Sequence, residues 1–205
     1  MNVKNRGFTL IELLVTLAVA VFLLTVGVPT VQALLNSSEK TTKINELITS
    51  LNVARSEALK QGTTISLCRK SSTDDTLCST KACNADTHSD CWESGWLIFS
   101  DDNNSGSKDA GEALLKTYSF ESSRHSLVTN EYPDSITFGS SGDVNLAGKF
   151  TYCVDWNNDG DYLDTVDSAN WVAVILNMTG RPKLSTDINN DGIHDDQLGN
   201  SLKCL

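Results

Sequence analysis

Three acidic segments have side chains that could do chemistry: Asp101-x-Asn103-x-Ser105-Gly106 with Glu112 beyond it, Asp155-x-Asn157-x-Asp159-Gly160 with Asp161 and Asp164, and Asp187-x-Asn189-x-Asp191-Gly192 with Asp195. Oxygen donors at alternate positions of a glycine-bent loop point inward, which suits a calcium ion with six to eight oxygen ligands. The second segment carries the most carboxylates, so Asp155, Asn157, Asp159, Asp161 and Asp164 form the expected calcium set. The competing reading is that Asp, Asn and Gly are the ordinary turn residues of an acidic β protein, and flanking EF-hand helices are not expected. A fourth cluster, Gly180-Arg181-Pro182-Lys183, puts two cations on a short extended stretch, either as a phosphate contact or as a solvated turn at a strand end.

Six cysteines, at 68, 78, 83, 91, 153 and 204, make an even set. In an exported chain an even set argues for disulfides, and six cysteines allow 15 connectivities. The pairing Cys68–Cys78, Cys83–Cys91 and Cys153–Cys204 is favoured because the first two close short loops and the third ties the chain end to a strand. Zinc is the poorer reading, since no Cys-x-x-Cys pair occurs and His88, His125 and His194 are scattered. Hydrolytic chemistry has little support, because no Gly-x-Ser-x-Gly turn is present. Trp92, Trp96, Trp156 and Trp171 read as core or hairpin-packing aromatics rather than a stacking platform.

The element that must position everything is the N-terminal stretch. From Phe8 to Val28 the polar residues are Glu12, Thr9, Thr16 and Thr25, and a run of this kind has about the length of a bilayer-spanning helix. Lys4 and Arg6 precede it, which places the N-terminus in the cytoplasm and the body outside. A lone carboxylate in such a segment costs roughly 2.5–3.5 kcal/mol on insertion scales, so Glu12 requires a partner. Cleavage between Gly7 and Phe8 would create one, the new amino group of Phe8, on the same helix or on a neighbour. An ordinary secretory signal cut after Val31-Gln32-Ala33 is the alternative, and it leaves Glu12 without a role.

Beyond Pro29 the pattern becomes amphipathic, with Ile44, Leu47, Ile48, Leu51, Ala54 and Ala58 at three- and four-residue spacing. The spacing predicts one helix from Phe8 to Gln61, bent at Pro29, roughly 80 Å long at 1.5 Å per residue, and ended by Gly62. Short β-branched and aromatic runs follow at 63–68, 95–99, 113–120, 135–138, 149–154 and 171–177, and predict antiparallel strands. The polar stretch 71–94, with three cysteines, reads as a disulfide-stapled excursion. The expected class is α+β: a leader at 1–7, an anchoring helix at 8–28, an amphipathic half at 29–61 and a β-rich head at 62–205 with an insertion near 69–94. The formal charge of -10 repels nucleic acid on average, so any DNA contact must be local.

Arg6-Gly-Phe-Thr-Leu-Ile-Glu12 resembles the class III signal of type IV pilins and type II secretion pseudopilins. The later order is similar to that of the GspH/FimT minor pilins and pseudopilins: Ala54-Arg-Ser-Glu-Ala58, Ile65-Ser-Leu-Cys68, Gly95-Trp-Leu-Ile-Phe99 with an acidic loop, Ile136-Thr-Phe138 and Thr179-Gly-Arg181. The resemblance implies the type IV pilin fold, cleavage after Gly7 by a prepilin peptidase, methylation of Phe8, and contact of Glu12 with a neighbouring subunit's N-terminus. It also implies a helix kink at Pro29, residence in the inner membrane with a periplasmic head before assembly, and other pilins as partners. A minor pilin that initiates or caps a pilus, with no enzymatic activity and no required cofactor, is the leading expectation; a type II secretion pseudopilin is the alternative. In FimT relatives a Gly-Arg-x-Arg motif is linked to DNA uptake, and Arg181 with Lys183 resembles it with lysine in the last place, which keeps the charge but not the bidentate fork.

Overall fold

The computed structural model describes residues 8–82, 91–119, 125–129, 131–132, 134–156, 165–196 and 198–204, apart from the side chains of 25–30, 32–33, 93 and 165–166. Two compact units divide the chain, Met1–Glu39 and Lys40–Leu205. Helix α1, Leu10–Gln61, contributes to both.

In the first unit the helix carries exposed apolar side chains on every side, among them Leu10, Leu14, Leu17, Phe22 and Leu24. A helix apolar all round is one that other apolar matter covers. Among the described residues no helix is long and apolar enough to cross a membrane; the described side chains of this stretch stop at Leu24 and resume at Val31. Pro29 lies inside the continuous helix, and its side chain is outside the described ones.

In the second unit the helix turns one stripe inward. Ile44, Leu47, Leu51, Ala54 and Ala58 recur every three or four residues and are buried, and the two alanines let the sheets approach its last turns closely. Gly62, at φ 67°, ends the helix with its N–H on the Ala58 carbonyl at 2.9 Å; that left-handed conformation is cheap only for glycine.

Eight strands follow among the described residues: β1 Ile65–Arg69, β2 Trp96–Ser100, β3 Leu114–Tyr118, β4 His125–Val128, β5 Ser135–Phe138, β6 Gly148–Val154, β7 Val172–Leu176 and β8 Pro182–Leu184. They form two four-stranded antiparallel sheets, β3-β2-β1-β5 and β4-β6-β7-β8. Alternation along the strands sends one set of side chains to the helix. Ile65, Leu67, Trp96, Ile98, Ile136 and Phe138 from the first sheet meet Leu127, Phe150, Tyr152, Val154, Val174 and Leu176 from the second in one core with the α1 stripe. Trp92, on the 3-10 turn Trp92–Ser94, donates its indole N–H to the Tyr132 carbonyl at 2.8 Å.

The opposite face of each sheet is buried too, which explains why β1, β2 and β7 are apolar or buried at every position. Cys68, Leu97 and Phe99 lie under the segment tied back by the Cys68–Cys78 disulfide. Cys153, Trp171, Ala173 and Ile175 lie with Leu202 under the C-terminal tail, held by Cys153–Cys204. Cys91 is also disulfide-bonded, while Cys83 lies outside the described residues. Two buried cations help fix the first cover: Arg69 pairs with Asp134 and donates to the Lys81 carbonyl at 3.1 Å, and Lys70 pairs with Asp75 at 2.9 Å.

Candidate functional site

The N-terminal end of α1 has a defined geometry. Thr9 precedes the first helical residue, its hydroxyl accepts the Glu12 N–H at 3.3 Å, and Glu12 Oε2 accepts the Thr9 N–H at 3.0 Å. The Thr9 hydroxyl also donates to Glu12 Oε2 at 3.0 Å. This is a reciprocal capping box, which satisfies two of the N–H groups that a helix start leaves orphaned. The carboxylate therefore sits at the positive end of the helix, one turn from the Phe8 nitrogen that cleavage would free. Glu12 and Phe8 are both exposed, and Gly7 lies outside the described residues. In the sequence Thr9 stands as Thr-x-x-Glu with Glu12, the spacing of a capping box, beside the apolar pattern that asks for a membrane partner for Glu12.

Gly180 and Arg181 sit in the tight turn between β7 and β8. Gly180 has φ 70°, and a Cβ there would lie 2.2 Å from the Gly142 carbonyl oxygen. That same carbonyl accepts Arg55 Nε at 3.0 Å, and Thr179 O accepts it at 3.2 Å, so the turn is pinned to α1 and the glycine is structural. Pro182 opens β8, where its missing N–H is tolerated at a sheet edge. Arg181 and Lys183 are exposed and line a groove of about 240 Å³ whose wall also holds Asp195 and Asp196. Its charge is mixed, so it offers phosphate no continuous positive track.

Of the three acidic loops, the first is closed by its own donors. Asp101 is fully buried; its oxygens accept the Ser66 hydroxyl at 2.7 Å, the Ser105 N–H at 2.8 Å and the Gly106 N–H at 2.8 Å. Glu112 reaches back to the N–H groups of Asp102 at 3.0 Å and Asp109 at 2.8 Å. In the middle loop Asp155 is buried, while Asn157, Asp159, Asp161 and Asp164 lie outside the described residues. Among the described residues no three His, Cys, Asp or Glu side chains gather closely enough to hold a metal ion.

Ser185 and His194 approach to 3.0 Å between Oγ and Nδ1. The hydroxyl is buried and accepts the Ala173 N–H at 2.8 Å, and Nδ1 also lies 2.9 Å from the Ser185 carbonyl. The pair fastens the tail to β8 and presents no nucleophile.

A long N-terminal helix whose later turns pack on antiparallel sheets is the type IV pilin fold. Residues 43–180 match the family described as Type II transport protein GspH, and residues 2–28 match the prokaryotic N-terminal methylation motif. The first match spans more than half of the chain, and the protein belongs to the GspH family. The fold is similar to that of the type IV minor pilin FimU of Pseudomonas aeruginosa PAO1. Its crystal structure in space group P21 aligns with TM-score 0.50 and 19% identity, over 74% of this chain and 91% of that one. A P65 crystal form aligns with TM-score 0.46 and 20% identity, over 73% and 92%. No curated protein sequence matches the chain.

Proposed function

We propose that the protein is a minor type IV pilin, matured between Gly7 and Phe8, that helps to initiate or cap a pilus. The observation that carries this reading is the methylation motif lying on a helix whose apolar side chains are exposed all round, with Glu12 held at its start by Thr9. Lipid covers that surface before assembly and neighbouring helices cover it afterwards. Glu12 leaves the Thr9 donors for the Phe8 ammonium of an adjacent subunit, because a charge-assisted contact in a dry helix bundle is stronger than the bonds it replaces. The head faces outward, where an oxidising exterior keeps its disulfides formed.

The test is incorporation. In a strain lacking the gene, the wild-type protein restores pili and is found in the sheared fibre fraction, whereas Glu12→Ala accumulates in the membrane fraction. Equal recovery of the variant in fibres contradicts the proposal. The family's description favours a second reading, a type II secretion pseudopilin. On that reading the deletion strain keeps its pili and retains exported enzymes in the periplasm.

A further inference from the structure

Segment Asp187-Ile-Asn-Asn-Asp-Gly-Ile-His-Asp195 places oxygen-bearing side chains at the first, third, fifth and ninth positions of one loop. Asp187 accepts the N–H groups of Asn190 at 2.7 Å and Gly192 at 3.0 Å. Asn189 accepts that of Asp191 at 2.9 Å, and Asp191 that of Ile193 at 2.8 Å. Left-handed residues at Asn190 and Gly192 make the bend. These bonds shape the loop and identify no ligand.

Asp195 supplies the independent observation. Its residue is 1% exposed. Oxygen Oδ2 accepts the Ile188 N–H at 2.7 Å and the Asn189 N–H at 3.3 Å, which sets the carboxylate against the inner backbone of the loop. The Asp195 N–H on the Thr186 carbonyl at 3.0 Å holds it there. Oxygen Oδ1 is buried and, among the described residues, meets no hydrogen-bond donor. The nearby ammonium of Lys149 pairs with Asp196 at 3.2 Å. A buried carboxylate oxygen without donor or counter-ion is strongly unfavourable, and a cation relieves it.

We propose that the loop 187–195 binds a calcium ion through Asp187, Asn189, Asp191 and Asp195. The proposed donor set of Asp187, Asn189, Asp191 and Asp195 is all oxygen, which selects a hard cation over zinc or copper. The three carboxylates do not converge in this structure, so binding contracts the loop, drawing Asp187 and Asp191 towards the buried Asp195. Calcium tolerates such irregular, adjustable coordination, and magnesium does not. The site is independent of the role proposed for the N-terminal helix.

The experiment is a calcium titration of the full chain in detergent micelles, followed by calorimetry and by thermal unfolding. Wild-type protein binds calcium with a dissociation constant on the order of 10⁻⁴ to 10⁻³ M, the range of extracellular modules, and its melting temperature rises, while magnesium at equal concentration does neither. Asp195→Asn abolishes that site. Should it not fold, the Asp187→Asn, Asp191→Asn double variant, altered at the loop's more exposed carboxylates, weakens it at least tenfold. Calcium binding of unchanged affinity and stoichiometry in the double variant overturns the proposal, as does the absence of wild-type binding at about ten times the upper end of that range.

Discussion

Each sheet of the head is finished by a disulfide-tethered cover and an Asp-x-Asn loop, yet the two halves reach closure by different routes. The first cover is local: Cys68 and Cys78 are separated by 10 residues, Lys70 pairs back to Asp75, and the loop after β2 hangs from a fully buried Asp101 with three donors. The second cover is remote: Cys153 and Cys204 are separated by 51 residues, and the loop 187–195 is built around Asp195, whose second oxygen has no donor among the described residues. One half has finished its electrostatics with its own hydrogen bonds, and the other leaves negative charge for something else to satisfy. Asp109 shows the difference directly, because it stands eight residues after Asp101 as Asp195 does after Asp187, yet it is exposed and takes the Asn103 amide at 2.7 Å.

Removing the remote bridge should have the largest effect. On a chain-entropy account a closed loop of that length is worth about 4 kcal/mol, and the shorter Cys68–Cys78 loop about 2.7 kcal/mol. Chemical denaturation of a Cys153→Ser, Cys204→Ser variant should therefore show the greater loss, and equal losses would dissolve the contrast between local and remote covers. Asp101→Asn should come between them at about 3 kcal/mol, since it weakens three bonds to a buried carboxylate. That loss should be the same with and without calcium; a calcium-dependent loss would put a cation in the first loop as well. Lys149→Ala breaks the part-exposed pair with Asp196 and should cost less than about 1 kcal/mol. The smallest effect is expected from Arg181→Ala with Lys183→Ala, which should leave retention of duplex DNA by the purified protein unchanged in low salt; a marked drop would make the mixed groove a DNA contact.

The helix was legible because its inward stripe keeps a three-and-four spacing from Ile44 to Ala58, and Gly62 stops it where a left-handed residue is required. Strands β1, β2, β3, β5, β6 and β7 are legible from their apolar, β-branched and aromatic runs, within a residue or two at their ends. The division into two sheets was not, because β5 returns to pair with β1, setting Phe138 against Ile65, and such long-range pairing leaves no local pattern. Strand β4, His125–Val128, was missed for want of a clear apolar alternation, although its first and third residues are buried. Strand β8 was missed because Pro182-Lys183-Leu184 looks like a polar turn, and only its pairing with β7 makes it an edge strand. The repeated Asp-x-Asn spacing was visible as possible ligand geometry. What separates the loops, the donors that close on buried Asp101 and the buried Asp195 whose Oδ2 alone is engaged among the described residues, is a product of tertiary packing.

The proposed role in a filament depends most on the processed N-terminus, and mass spectrometry of the protein isolated from envelopes and fibres tests it directly. It predicts a chain that begins at Phe8 with its amino group methylated. A chain that retains Met1 to Gly7, or one that begins near Leu34 after cleavage at Ala33, would contradict it.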